Sequence, residues 1–180
     1  MKHSTVYRRL IVSLSFCAFT VSLLFEARAQ DLVLPPQPAP PPILFIPEAV
    51  RAQLSSTRDA KARAKLSIEE AEARLLRAEE HTNLKQFNPA TAELGIYQAL
   101  IEDSVHFLQR AGLSDGKTRD IFKRLELTLR KHAARIEFLR RSTPSEHSGN
   151  VRAILNRIRD LRTESLEAFY GNTVLRENSN

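Results

Sequence analysis

Any chemistry in this chain has to come from histidines, carboxylates and cations. The single Cys, Cys17, and the single Met, Met1, both fall in the first 29 residues, and Trp is absent. Beyond that stretch there is no thiol nucleophile, no disulfide and no sulfur ligand for a metal or haem. Four histidines remain: His81, His106, His132 and His147. In a bundle of antiparallel helices, His81 and His147 would share one end and His132 would lie toward it. With Glu80, Glu137 or Glu146 they could frame a metal site. No pair of histidines four residues apart fixes such a geometry, however. His132 also falls on an apolar stripe, where a buried, hydrogen-bonded imidazole is the simpler reading.

Other sites can be tested by spacing. A di-iron bundle needs Glu-x-x-His on two helices, and the nearest approach is the lone Asp103-Ser104-Val105-His106. The chain has no Cys-x-x-Cys-His, no glycine-rich loop to cradle phosphate and no serine in a nucleophile elbow. Glu69, Glu70, Glu72, Glu79 and Glu80 read as a solvated face pairing with Arg74, Arg77 and Lys85. Each such pair contributes a few tenths of a kcal/mol. The expectation is a non-enzymatic chain with no catalytic residue, no metal and no cofactor.

Charge is distributed unevenly. The chain carries a formal +6, and +3 without its first 29 residues. Residues 48–116 have a net charge of −2 and residues 117–162 a net charge of +8. Such a basic half attracts polyanions. Arg140 and Arg141 form its local maximum, and Arg157 and Arg159 extend it. On a helical wheel the cations preceding Arg141 spread widely, which favours diffuse attraction over a dedicated groove.

The elements that would position these residues are helices. Seven prolines between Leu34 and Pro47 dictate an extended polyproline-II spacer, because each fixes φ and lacks an N–H donor. Ile43-Leu44-Phe45-Ile46 is too apolar to be left in water and is expected to dock on the bundle or on a partner. A short helix opens at Pro47-Glu48. A long one from about Asp59 to Gln86 carries Ala64, Ile68, Ala71, Leu75 and Ala78 on one face. Asn88-Pro89 reads as an N-cap followed by proline, opening a helix with Leu94, Tyr97, Ile101, Val105 and Leu108 inward.

Ser114 or Asp115 would cap the next helix, with Ile121, Leu125, Leu129, His132, Ile136 and Leu139 inward. Thr143-Pro144-Ser145-Glu146 has the form of a capping box. The last helix runs on Val151, Ile154, Ile158, Leu161, Ser165 and Phe169 toward a C-cap at Gly171. Steps of three and four joined by short turns predict an all-α, up-down-up-down four-helix bundle of long antiparallel helices, preceded by a short helix. The third long helix has a second apolar stripe, Leu127, Ala134 and Phe138. Ile43–Ile46 could cover it, and otherwise a second copy or a partner helix would.

Location is encoded at the start. Lys2, Arg8 and Arg9 precede the apolar run Leu10–Phe25, and Ala27-Arg28-Ala29 offers a small-x-small cleavage site. The expected organisation is a cleaved signal peptide over 1–29, a proline-rich linker over 30–47, a bundle over 48–171 and a disordered tail over 172–180. The mature chain would then lie in the periplasm or outside the cell.

Four phrases resemble a group of exported, all-helical, uncharacterised bacterial proteins: Phe122-Lys123-Arg124-Leu125-Glu126, Arg140 through Glu146, Glu167-Ala168-Phe169-Tyr170-Gly171 and Tyr97-Gln98-Ala99-Leu100-Ile101-Glu102-Asp103. The resemblance covers roughly residues 48–171 and implies a bacterial envelope address, with no activity attached.

The functional expectation is therefore an exported interaction module of the cell envelope. Its candidate partner-binding residues are Leu127, Phe138, Arg140, Arg141, Arg157 and Arg159. The partner would be an envelope protein or a second copy, and not nucleic acid. The alternative is a binder of anionic lipid headgroups or acidic glycans through residues 117–162, and a metal-binding or enzymatic bundle ranks behind both.

Overall fold

The computed structural model describes residues 37–111 and 116–177. Among them are five helices and no strand: α1 (Glu48–Ser56), α2 (Ala60–Asn83), α3 (Phe87–Arg110), α4 (Gly116–Ser142) and α5 (Ser145–Glu177). None of the described helices is long and apolar enough to cross a membrane. The expected signal peptide and the expected caps Ser114 and Asp115 lie outside the described residues.

The helices pack as a bundle, α2 on α3, α4 on α5, α3 on α5 and α2 on α4. The stripes read from the sequence form its core. All five inward residues of α3 and all six of α4 are buried, and so are Ala71, Leu75, Ala78, Val151, Ile154, Ile158 and Leu161. Ile68 and Phe169 sit at the margin of the core, packed against it. Fully burying a leucine or isoleucine contributes about 1.5–3 kcal/mol, so this contiguous cluster is the main term holding the helices together.

Polar contacts between helices set their register. Arg63 meets Asp103, Ser67 donates to the Leu100 carbonyl, and Arg74 meets Glu93. Across these contacts numbering falls along α3 as it rises along α2. Between α3 and α5, Gln109 meets Glu164 and Arg157 meets Glu102, both at a separation of 55 residues.

The proline segment is tied to the bundle. Ala39 is the one residue from Pro38 to Pro42 that has a backbone N–H, and it donates to the Glu146 carbonyl at 2.8 Å. Asn150 donates from its amide to the carbonyls of Ala39 and Pro40. On α3 at the same level, a Cβ added to Gly95 would come within 2.8 Å of the Ile43 carbonyl oxygen and 2.9 Å of Pro42 Cβ. Only glycine admits this strap across α3 and α5 without displacement. The backbone of Ile43 faces the helix, which leaves its side chain 78% exposed, with Leu44 and Phe45 about half exposed. Ile46 alone of the four packs against the core.

Three local expectations are corrected. The helix expected to open with Asn88 as its cap and Pro89 as its first residue begins two residues earlier, at Phe87, with Gln86 as a cap whose side chain makes no capping bond. Lys85 takes the left-handed turn at φ 59°, and its N–H bonds the Thr82 carbonyl. Asn88 and Pro89 therefore lie in the first turn, where a missing N–H costs little. The boundary at Thr143–Glu146 is where the sequence puts it, but the capping box is not made. Thr143 Oγ1 instead donates back to the Leu139 carbonyl at 2.7 Å. Finally, α5 continues through Gly171 to Glu177. A single glycine costs a helix only about 1 kcal/mol, too little to stop one on its own.

Candidate functional site

The most ordered polar constellation lies where α2, α3 and α4 meet. Tyr97, His132, Glu72, Arg135 and Glu79 form one continuous chain of hydrogen bonds. Tyr97 and His132 occupy core stripes of α3 and α4, where an imidazole and a phenol each need a partner. Arg135, one turn on from His132, and Glu72 and Glu79, two turns apart on α2, supply the rest.

The direction of the chain follows from its chemistry. The Glu72 carboxylate only accepts, so His132 carries its proton on Nε2 and presents Nδ1 as an acceptor. The Tyr97 hydroxyl donates to that Nδ1 at 3.1 Å. Arg135 donates to Glu72 and grips both oxygens of Glu79 at 2.7 and 2.8 Å.

Burial drives the His132 ring below its ordinary pKa, toward the neutral form, against the pull of the Glu72 carboxylate. Burial alone would raise the Glu72 carboxyl. Hydrogen bonds and charge from Arg135 and His132 outweigh it and hold the carboxyl below its ordinary range. The Tyr97 phenol is pushed far up by burial and then by the Glu72 charge. The Glu79 hydrogen bonds keep the Arg135 guanidinium firmly charged.

This relay has the ordering of a proton-transfer chain, yet its phenol is 0% exposed and its imidazole 3%. Both groups are shielded from solvent. What the arrangement can do is fix the register of α4 against α2 and α3, since the buried Tyr97 and His132 find their partners in this alignment.

It also corrects the reading of the α2 carboxylates as one solvated face. Glu72 and Glu79 turn inward to α4, while Arg74 and Arg77 both take Glu93 of α3, at 3.2 Å. The sequence signal was present but unread: two polar side chains on core stripes demand a partner, and a helix rich in glutamate is the nearest donor of one.

The histidines considered for a metal are not brought together. His81 bonds the Gln86 side chain, His147 packs near Phe87, and His132 belongs to the relay. No group of three His, Cys, Asp or Glu side chains among the described residues is placed to hold a metal ion.

The six candidate partner-binding residues fall in different places. Arg157 lies between α3 and α5, bound to Glu102 at 2.7 Å and Glu164 at 2.8 Å. Arg140 and Arg141 share Glu137, whose carboxyl their hydrogen bonds hold down at about 2. Arg159 is exposed and makes no ion pair among the described residues.

Leu127 and Phe138 lie on the outer face of α4, 44% and 67% exposed. The segment expected to cover them, Ile43–Ile46, lies instead on the strap that is bound to α3 and α5. Steps of four and three carry this outer stripe from Asp120 through Arg124, Leu127, Lys131, Ala134 and Phe138 to Arg141, and every one of these residues is exposed. Around Leu127 the surface dips into a shallow hollow of about 350 Å³ lined by Asp120, Lys123, Arg124, Thr128 and Lys131. Lys123, Arg124 and Lys131 make no ion pair among the described residues. Compared with known proteins, the chain matches no family model, no curated protein and no solved structure.

Proposed function

We propose that this chain is a non-enzymatic, exported interaction module of the bacterial cell envelope that docks through the outer stripe of α4. The observation that carries the reading is that stripe. Seven residues at heptad spacing are all exposed, and beyond Asp120 the apolar Leu127, Ala134 and Phe138 are interspersed with the cations Arg124, Lys131 and Arg141. Heptad spacing ordinarily marks a face that meets something. An exposed Leu127 and Phe138 gain nothing for the bundle itself.

Export is read from residues 1–29, and the non-enzymatic character from a relay whose phenol and imidazole are sealed. For the topology we favour the up-down-up-down direction of α2 to α5. The numbering that falls along α3 as it rises along α2, the equal separation of 55 residues in both α3–α5 contacts and the short Thr143–Pro144 turn between α4 and α5 support it.

The test is affinity capture from the native envelope fraction, comparing the wild-type chain with Phe138→Asp at low and high salt. A component retained by wild type and lost with Phe138→Asp supports the docking face. Equal retention by both would contradict it. The alternative, diffuse attraction of residues 117–162 to polyanions, predicts instead that Arg159→Glu on α5 weakens capture as much as any change on α4.

A further inference from the structure

We propose that the outer stripe of α4 rests on the anionic surface of a lipid bilayer, with Leu127 and Phe138 entering the headgroup boundary and Lys123, Arg124 and Lys131 meeting its negative charge. The inference rests on the docking face above and names its occupant.

Three features on α4 point to this surface. The stripe is long: the 21 steps from Asp120 to Arg141 rise about 32 Å at 1.5 Å per residue. Lys123, Arg124 and Lys131, which make no ion pair among the described residues, flank the apolar side chains, the arrangement in which Lys and Arg stems lie along apolar surface while their charged ends reach outward. The three cations end on long flexible stems, and the hollow beside Leu127 is shallow. A folded protein partner would need carboxylates fixed opposite each of them. A bilayer needs no such match, because its anionic headgroups move laterally to meet the charges.

Self-association fits less well. Aligning two antiparallel copies so that Leu127 meets Phe138 sets Arg124 beside Arg141 at both ends, and like charges so placed repel. With only two large apolar side chains entering, binding should be reversible and dependent on charge.

Because the chain has no tryptophan, Phe138→Trp gives a fluorophore unique to this face. The variant of the mature chain, beginning at Gln30, is titrated with vesicles of phosphatidylglycerol and, separately, of phosphatidylcholine. The proposal requires a blue shift with phosphatidylglycerol, quenching by brominated lipid, and loss of the shift in about 1 M salt, where screening shortens to about 3 Å. Lys123→Glu, Arg124→Glu and Lys131→Glu together should weaken the titration at least about a hundredfold, at about fivefold per cation removed. These residues make no ion pair among the described residues, so circular dichroism should stay unchanged.

An unshifted spectrum with phosphatidylglycerol, or an equal shift with phosphatidylcholine, would overturn the proposal. So would indifference to the three reversals. A blue shift that grows with protein concentration in the absence of lipid would also overturn it, by assigning the face to a second copy, and would leave the docking face standing. Failure of the docking face itself reads differently: capture by wild type and Phe138→Asp would then be equal.

Discussion

On the inner face of α4, His132 and Arg135 end on carboxylates of α2. On the outer face, Arg124 and Lys131 end in water beside Leu127 and Phe138. Both faces mix apolar and ionisable residues at helical spacing, and the sequence treats them alike. What separates them is satisfaction. His132 and Arg135 have partners on α2 that exist only in the folded bundle, so changes there act on stability. The cations outside that lack partners among the described residues contribute little to the fold, because exposed charges are worth about 0–1 kcal/mol even when paired. The same helix therefore has one face committed to folding and another left available.

The contrast can be broken most severely at His132. His132→Ala leaves a cavity, an unpartnered Tyr97 hydroxyl and a Glu72 carboxylate with one donor fewer, and should cost about 3 kcal/mol in urea unfolding. A loss below about 1 kcal/mol would mean that water replaces the ring and that the relay does not fix the register.

Tyr97→Phe is milder. It removes only the hydroxyl and leaves His132 Nδ1 without a donor, for an expected loss of about 1–2 kcal/mol. Smaller again is the dependence on pH. Burial places the folded His132 below its ordinary 6.5, so just below that value the unfolded chain binds a proton that the folded chain refuses. Stability must then rise with pH across the window beneath 6.5. Glu72, also held below its ordinary value of 4.5, adds stability that is present above that pH and lost as pH falls through it. Both slopes have the same sign. Unfolding measured across pH 6.5 in wild type and His132→Gln should show the upper slope in wild type alone, and a flat wild-type profile would place the imidazole outside the relay.

The smallest effect is expected outside. Leu127→Asp with Phe138→Asp should leave stability within about 0.5 kcal/mol. A loss comparable to that of His132→Ala would reveal that the stripe is covered within the chain.

Much of the fold was legible because helical cores announce themselves by period. Leu94, Tyr97, Ile101, Val105 and Leu108, at steps of three and four, are buried as that spacing requires. Helix ends were less legible, since a cap is a choice among competing hydrogen bonds. Thr143 had a Leu139 carbonyl within reach and took it, while Gly171 carried too small a penalty to end α5. Partner choice was harder still. Whether Glu72 faces water or His132 depends on the angle between α2 and α4, a property of the packed bundle rather than of either segment. The strap was misjudged for the same reason. Its prolines predict an extended chain, but its anchoring requires Gly95 on α3 and Asn150 on α5 to arrive at one level.

The most direct test of the account is site-specific photo-cross-linking in native cells, with a photoreactive side chain placed at Leu127 or Phe138 on α4 and, for comparison, at the exposed Arg152 or Asn156 on α5. Adducts are expected from the α4 positions and none from α5. Adducts of equal yield from both helices, or none from Leu127 and Phe138, would contradict the claim that the outer face of α4 is where this protein meets its partner.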